Sequence, residues 1–95
     1  MVTVGSQVTL FNAGDKVFYA GSNQRPGSNA QYQVVDERLV GHAPQSLEPH
    51  DAAALPLVAL TAWEALFDRL GVTQSSTGTL LVLGGSGGVP SALIQ

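Results

Sequence analysis

Residues 79–94 read Thr-Leu-Leu-Val-Leu-Gly-Gly-Ser-Gly-Gly-Val-Pro-Ser-Ala-Leu-Ile, and this stretch decides the fold class. Thr79-Leu80-Leu81-Val82-Leu83 is an unbroken apolar run without charge, the texture of a parallel strand buried on both faces. Gly84-Gly85-Ser86-Gly87-Gly88 then permits a tight turn, and Pro90 suits the first turn of a helix continuing through Ser91-Ala92-Leu93-Ile94. Strand, glycine turn and helix in that order open a βα unit. In a dinucleotide-binding turn the glycines let the backbone approach a pyrophosphate, whose charge meets free N–H groups at the helix N-terminus. Gly85-Ser86-Gly87-Gly88-Val89-Pro90 matches G-x-G-x-x-G at its first two glycines and carries Pro90 at the third. On these residues alone two readings stand, a cofactor turn and a plain glycine loop.

A third reading of the same residues fails. Gly84 to Gly88 also satisfies G-x-S-x-G with Ser86 as nucleophile, but that elbow needs an acid and a histidine later in the chain. No acidic residue or histidine follows Gly88, and both histidines, His42 and His50, lie upstream. Ser86 reads instead as a small residue beside a phosphate.

Moving upstream, the polar Gln74-Ser75-Ser76-Thr77-Gly78 linker is preceded by the clearest helix. It is expected from Pro56 to Leu70, with Gly71 at the left-handed cap position. Leu60, Trp63, Leu66, Phe67 and Leu70 share one face at three- and four-residue spacing, and Glu64, Ala65 and Asp68 fall on another. Core packing is the expected fate of the apolar face, Trp63 and Phe67 included. Pro49 suits the first position of a short preceding helix through Ala52-Ala53-Ala54-Leu55, and Asp51 favours its positive end.

The first 41 residues carry strand chemistry in short apolar runs at Val2 to Phe11, Val17-Phe18-Tyr19, Tyr32 to Val35 and Leu39-Val40. Residues 2–40 therefore read as antiparallel β structure. Asn12-Ala13-Gly14-Asp15 is a tight turn within it, and residues 21–29 have no apolar side chain to bury and read as an exposed loop with a mobile tip. The resulting class is α+β, divided as a β part over 1–48, a helical connection over 49–71 and a β-turn-α start over 72–95.

Composition narrows the function. The 95 residues fit one small domain, and 44% apolar against 12% charged residues calls for a packed core rather than a disordered tail. A chain this size buries only about 60–65% of its unfolded surface, so association with a partner is an expectation from length alone. The net charge of -3, from four Lys or Arg and seven Asp or Glu, leaves no basic stripe for nucleic acid. There is no cysteine, no export-like N-terminus and no apolar run long enough to cross a membrane, so a cytoplasmic location without membrane or disulfide is expected. His42, His50 and Asp51 are too scattered to suggest a zinc site, and no metal is assigned.

Four motifs, in order across nearly the whole chain, carry a family resemblance. Val4-Gly5-Ser6-Gln7-Val8 to Phe11 followed by Gly14-Asp15-Lys16-Val17 resembles "VGxxVxxFxxGDxV", and Gly27 to Tyr32 resembles "GxxAEY" with Gln31 in place of Glu. Ala52 to Leu66 resembles "AAALPLxxLTAWEAL", and Gly85 to Pro90 resembles "AxGGVG". These are motifs of the medium-chain dehydrogenase/reductase superfamily, in its zinc-type alcohol dehydrogenase-like and quinone oxidoreductase branch. The resemblance implies part of a GroES-like antiparallel β-barrel, then helices, then the first β-turn-α of a Rossmann unit. It implies an NADPH-dependent reductase of quinones, enones or similar carbonyl compounds, with Gly85, Ser86, Gly87, Gly88 and Val89 near the pyrophosphate and Thr61 near the nicotinamide end. No catalytic acid or base is implied by the matching segments. The match covers a middle slice, so the expectation is a truncated reductase-like chain that does not catalyse alone and is completed by dimerisation. The alternative is a self-associating structural module, because strand 79–83 is too apolar to stand exposed at a sheet edge.

Overall fold

A computed structural model describes residues 1–95. Cα proximity divides the chain into two units, Met1–Pro56 and Leu57–Gln95. The structure is α+β, with one small ladder and three helices.

In the first unit, β1 (Val17–Phe18) pairs antiparallel with β2 (Gly41–His42), Val17 opposite His42 and Phe18 opposite Gly41. The register brings Gly41 against an aromatic ring: a Cβ there would lie 2.9 Å from Phe18 Cε1. Phe11 is one of three buried apolar residues of the chain, with Ala52 and Ala62, and its ring lies 4.7 Å from that of His42.

The broad antiparallel structure expected over 2–40 reduces to this two-residue ladder. The reason is visible in the hydrogen bonds. The Glu37 carboxylate, in a single 3-10 turn over Glu37–Leu39, accepts from the backbone N–H groups of Thr9 (3.0 Å) and Leu10 (2.9 Å), where a neighbouring strand would otherwise accept. Val8 N–H turns back to Gly5 C=O at 3.1 Å. The Asn12–Asp15 turn forms as its residues dictate: Gly14 has φ +97°, and Asn12 N–H donates to Asp15 Oδ2 at 2.7 Å. The loop over 21–29 is exposed throughout, and its base is tethered. Tyr19 O–H donates to Gln33 Oε1 (2.6 Å), and Gln33 Nε2 donates to Pro26 C=O (2.7 Å).

Helix α1 (Pro49–Ala52) starts with Pro49 at its first position, where a missing N–H costs nothing. Helix α2 (Leu55–Trp63) follows after a short turn and continues as a π-helical segment, Glu64–Arg69. The wider π turn is marked by Leu70 N–H bonding Ala65 C=O five residues back, at 3.0 Å. It also aligns Glu64 with Arg69, whose Nη2 reaches Glu64 Oε1 at 2.8 Å, a five-residue spacing that an α-helix would splay apart. Gly71 closes the segment at φ +65°, and Val72 N–H reaches back to Leu66 C=O at 3.0 Å.

Two expectations about packing are overturned. The face of Leu60, Trp63, Phe67 and Leu70 is exposed rather than in the core, with Trp63 63% and Leu70 64% accessible. Trp63 and Phe67 meet edge to face at 4.5 Å, one ring shielding the other where no further layer covers them. Residues 79–83 form no ladder, and Leu80, Leu81 and Leu83 are exposed. A parallel strand exists only through hydrogen bonds to a neighbouring strand, and none pairs with residues 79–83.

Candidate functional site

The glycine turn and the helix after it are built within the second unit. Gly84 takes the left-handed conformation at φ +71°, and Gly87 N–H donates to Gly84 C=O at 2.9 Å, closing the turn. Gly87, in extended conformation, is the N-cap of α3 (Gly88–Ile94), and Ser91 N–H donates to Gly87 C=O at 2.9 Å. Ser91 also braces the turn through its side chain, with Oγ donating to Gly85 C=O at 3.1 Å. The turn is therefore held from both ends by backbone and hydroxyl.

The donors available to a ligand follow from position. Gly88 and Val89 occupy the first two places of α3, where N–H groups have no acceptor inside the helix. Pro90 stands third and brings no N–H, so the third donor of a normal helix start is missing. No charged side chain lies between Gly71 and Gln95. From residues 72–94 an anion would meet backbone dipoles and hydroxyls and no side-chain cation.

Pro90 stands where a third glycine of the dinucleotide motif would let the helix approach its neighbour closely. The close approach is made instead at Gly88, whose added Cβ would lie 3.0 Å from Val58 Cγ1 on α2. The motif does not reveal that role, because the neighbour is a helix brought there by tertiary structure. Gly85 is not crowded in this way, its added Cβ falling 3.7 Å from Ile94 Cδ1.

Thr61 lies on α2, one turn beyond Val58, and its Oγ1 donates to Leu57 C=O at 2.8 Å. The hydroxyl proton is thus committed to the helix, and the oxygen keeps a lone pair for an incoming N–H. Val58 therefore links the two halves of the candidate site, touching Gly88 and preceding Thr61 on the same helix face. Ser86 is exposed at the tip of the turn. Gly84 and Ser91 belong to the same construction, although the dinucleotide motif marks neither. The only sequence signal for Ser91 is a hydroxyl residue in the first turn of a helix. No three His, Cys, Asp or Glu side chains converge anywhere in the chain.

The arrangement can offer backbone N–H groups to an anion and one hydroxyl oxygen to a donor. Its polar side-chain groups are hydroxyls, with no carboxylate, imidazole or amine among Thr61 and residues 84–91.

Comparison with known proteins agrees with the motifs. No protein-family model matches the chain. A zinc-type alcohol dehydrogenase-like protein of Staphylococcus epidermidis is 45% identical over 97% of this chain, which spans 29% of that protein. A mitochondrial NAD(P)H oxidoreductase of Danio rerio is 40% identical over 96% of this chain and 24% of its own length. The crystal structure of an alcohol dehydrogenase superfamily protein from Novosphingobium aromaticivorans superposes with a TM-score of 0.86 at 41% identity, covering 98% of this chain and 28% of that one. The chain's homologues are thus oxidoreductases of the medium-chain dehydrogenase/reductase superfamily, in its zinc-type alcohol dehydrogenase-like branch. The chain spans less than a third of the length of these two curated relatives.

Proposed function

We propose that these residues form part of the dinucleotide site of a cytoplasmic NADPH-dependent reductase of quinones, enones or related carbonyl compounds, and do not catalyse alone. The observation that carries this reading is the joint construction of the closed Gly84–Gly87 turn, the two unpartnered donors at Gly88 and Val89, and α2 locked against Gly88 with Thr61 on its face. In this reading Gly85, Ser86, Gly87, Gly88 and Val89 approach the pyrophosphate, and Thr61 Oγ1 accepts from the nicotinamide carboxamide. NADPH, when bound, supplies the hydride. This chain's residues supply position and backbone charge, and the acid or base must come from elsewhere. The β part before α1 corresponds to a portion of a GroES-like barrel, and 79–94 to the first β-turn-α of a Rossmann unit.

With two backbone donors and no cation, affinity in the isolated chain is expected in the millimolar range, about -4 kcal/mol. Titrating 15N-labelled chain with NADPH should move the amide signals of Gly84 to Val89 and of Thr61, and Gly87→Val should abolish the movement. Unmoved signals at ten millimolar NADPH would end the proposal, and so would steady oxidation of NADPH by the chain alone with a quinone acceptor.

A second reading, a self-associating homodimeric module without catalysis, draws on the uncovered Leu80, Leu81 and Leu83. It predicts a mass that doubles with concentration.

A further inference from the structure

The Gly84–Gly87 turn fixes a direction as well as a bend. Its central residues are Gly85 and Ser86, and Gly87 N–H donates to Gly84 C=O at 2.9 Å. Neither central residue has a positive φ and no peptide is cis, which among turns closed by this hydrogen bond leaves type I. The type II form differs by a half-rotation of the peptide between residues 85 and 86, and it needs a positive φ at residue 86.

That middle peptide is the one Ser91 grips. Ser91 Oγ donates to Gly85 C=O at 3.1 Å, across six positions and from the first turn of α3. The peptide is planar and trans, so its carbonyl and its N–H point to opposite sides. With Gly85 C=O turned to Ser91, Ser86 N–H faces away from Ser91, and no group of the chain accepts from it. After a half-rotation the same peptide would offer a carbonyl oxygen where it now offers the N–H, putting a negative partial charge in the place of a donor. Two features oppose that rotation: Ser86 carries a Cβ, which disfavours a positive φ, and the Ser91 hydroxyl holds the carbonyl. The donor matters more here because Pro90 removes the third free N–H of the helix start.

We infer that Ser91 is a positioning residue of the glycine turn: by holding Gly85 C=O it keeps Ser86 N–H presented to the phosphates of the ligand. The inference rests on the dinucleotide reading for the identity of that ligand. It adds to the reading a residue that the G-x-G-x-x-G pattern does not include, and a role for the first variable position of that pattern, where any residue with a Cβ favours the presenting form.

The test uses a background in which the hydroxyl acts alone. Ser86→Gly removes the Cβ that disfavours the rotated form, and Ser91→Ala or Ser91→Thr is then added in the 15N-labelled chain. In the observed turn the amide protons of residues 85 and 86 are neighbours and give a strong nuclear Overhauser effect; in the rotated form the Gly85 Hα protons lie beside the amide of residue 86 instead. Ser86→Gly is expected to keep the amide–amide effect, Ser91→Ala in that background to exchange it for the Hα one, and Ser91→Thr to retain it. NADPH affinity, followed at the amides of Gly88 and Val89, should fall roughly three- to tenfold with the alanine and recover with the threonine, the span expected of one hydrogen bond. Ser91 is exposed and alanine favours a helix, so loss of α3 does not account for such a change. An amide–amide effect that survives Ser91→Ala, or that is already lost in Ser86→Gly alone, overturns the hold by Ser91. Equal NADPH affinities with the peptide in its two orientations overturn the presentation of Ser86 N–H. A wild-type chain whose signals do not move with NADPH ends the dinucleotide reading, and the presentation to phosphates with it, while the proton–proton comparison still judges the hold, so the two failures are distinguishable.

Discussion

The contact between Gly88 and Val58 makes the sharpest prediction about how the glycine turn is seated. Gly88 does not have a positive φ, so alanine fits its backbone, and a glycine to alanine change in a helix is worth at most about 0.5–1 kcal/mol in the alanine's favour. Against this, the new Cβ would stand 3.0 Å from Val58 Cγ1 and 3.8 Å from Val58 Cβ. Val58 is β-branched on a helix and has one preferred side-chain rotamer, so it cannot swing aside, and α2 must shift by a few tenths of an ångström. Overpacking of this kind costs about 1–3 kcal/mol. The balance is a net loss of about 1 kcal/mol for Gly88→Ala, read as a fall of about 4–8 °C in the midpoint of thermal unfolding followed by circular dichroism. Two variants keep the test specific. Gly85→Ala, with only an ordinary 3.7 Å contact to Ile94, should be close to neutral. In a Val58→Ala background, Gly88→Ala should lose its penalty, giving a coupling energy of about 1 kcal/mol. If Gly88→Ala stabilises the chain in both backgrounds, the helices do not approach at Gly88 and the argument for a shared Thr61 and glycine-turn site goes with it.

Other expectations follow from single residues. Gly71→Ala should cost about 1–2 kcal/mol in thermal unfolding, because φ +65° places a Cβ against the preceding carbonyl, and Gly71→Asn should recover part of it. The Arg38 guanidinium, which donates to both oxygens of Asp36, holds that carboxyl well below its ordinary value of 3.8. The folded-state value is the depressed one, so the pair's contribution is present above the unfolded value and fades as pH falls through the folded one. Carbon-detected titration should show Asp36 still ionised at about pH 3, and Arg38→Gln should raise its titration part of the way to the ordinary range, the backbone N–H of residue 38 still donating to Oδ1. Tyr19→Phe removes the O–H that ties Gln33 to the loop base, and should cost about 1 kcal/mol and raise nonspecific proteolysis between residues 21 and 31 severalfold.

What could be read from the residues was local chemistry. The Asn12–Asp15 turn, Pro49 at a helix start and Gly71 at a helix end each follow from backbone freedom or its loss, and each is in place, whereas α3 begins at Gly88, two residues ahead of the start that Pro90 suggests. What could not be read depended on company. The apolar periodicity of Leu60, Trp63, Phe67 and Leu70 identifies a helix face correctly, but it does not say that these residues leave that face uncovered. The same holds for Thr79 to Leu83, whose composition fits a strand that has no neighbour to bond. Glu37 capturing the N–H groups of Thr9 and Leu10 is a contact across 28 and 27 positions, and no local pattern announces it. In the candidate site, the glycines stand out as residue types and Thr61 only through the family resemblance, whereas Val58 and Ser91 act only through what they touch.

The π-helical segment at Glu64–Arg69 has a further implication. Such a turn is an α-helix carrying one residue more than its hydrogen-bond ladder needs. Removing a single position there would convert it to an ordinary helix, with the Trp63 and Gly71 ends kept in place and only the side chains between them re-aimed. The segment is thus a point at which the length of this lineage can change by one without rupture. Relatives differing by a single gap between Trp63 and Gly71 would present Phe67 and Leu70 at a different angle while leaving the glycine turn untouched.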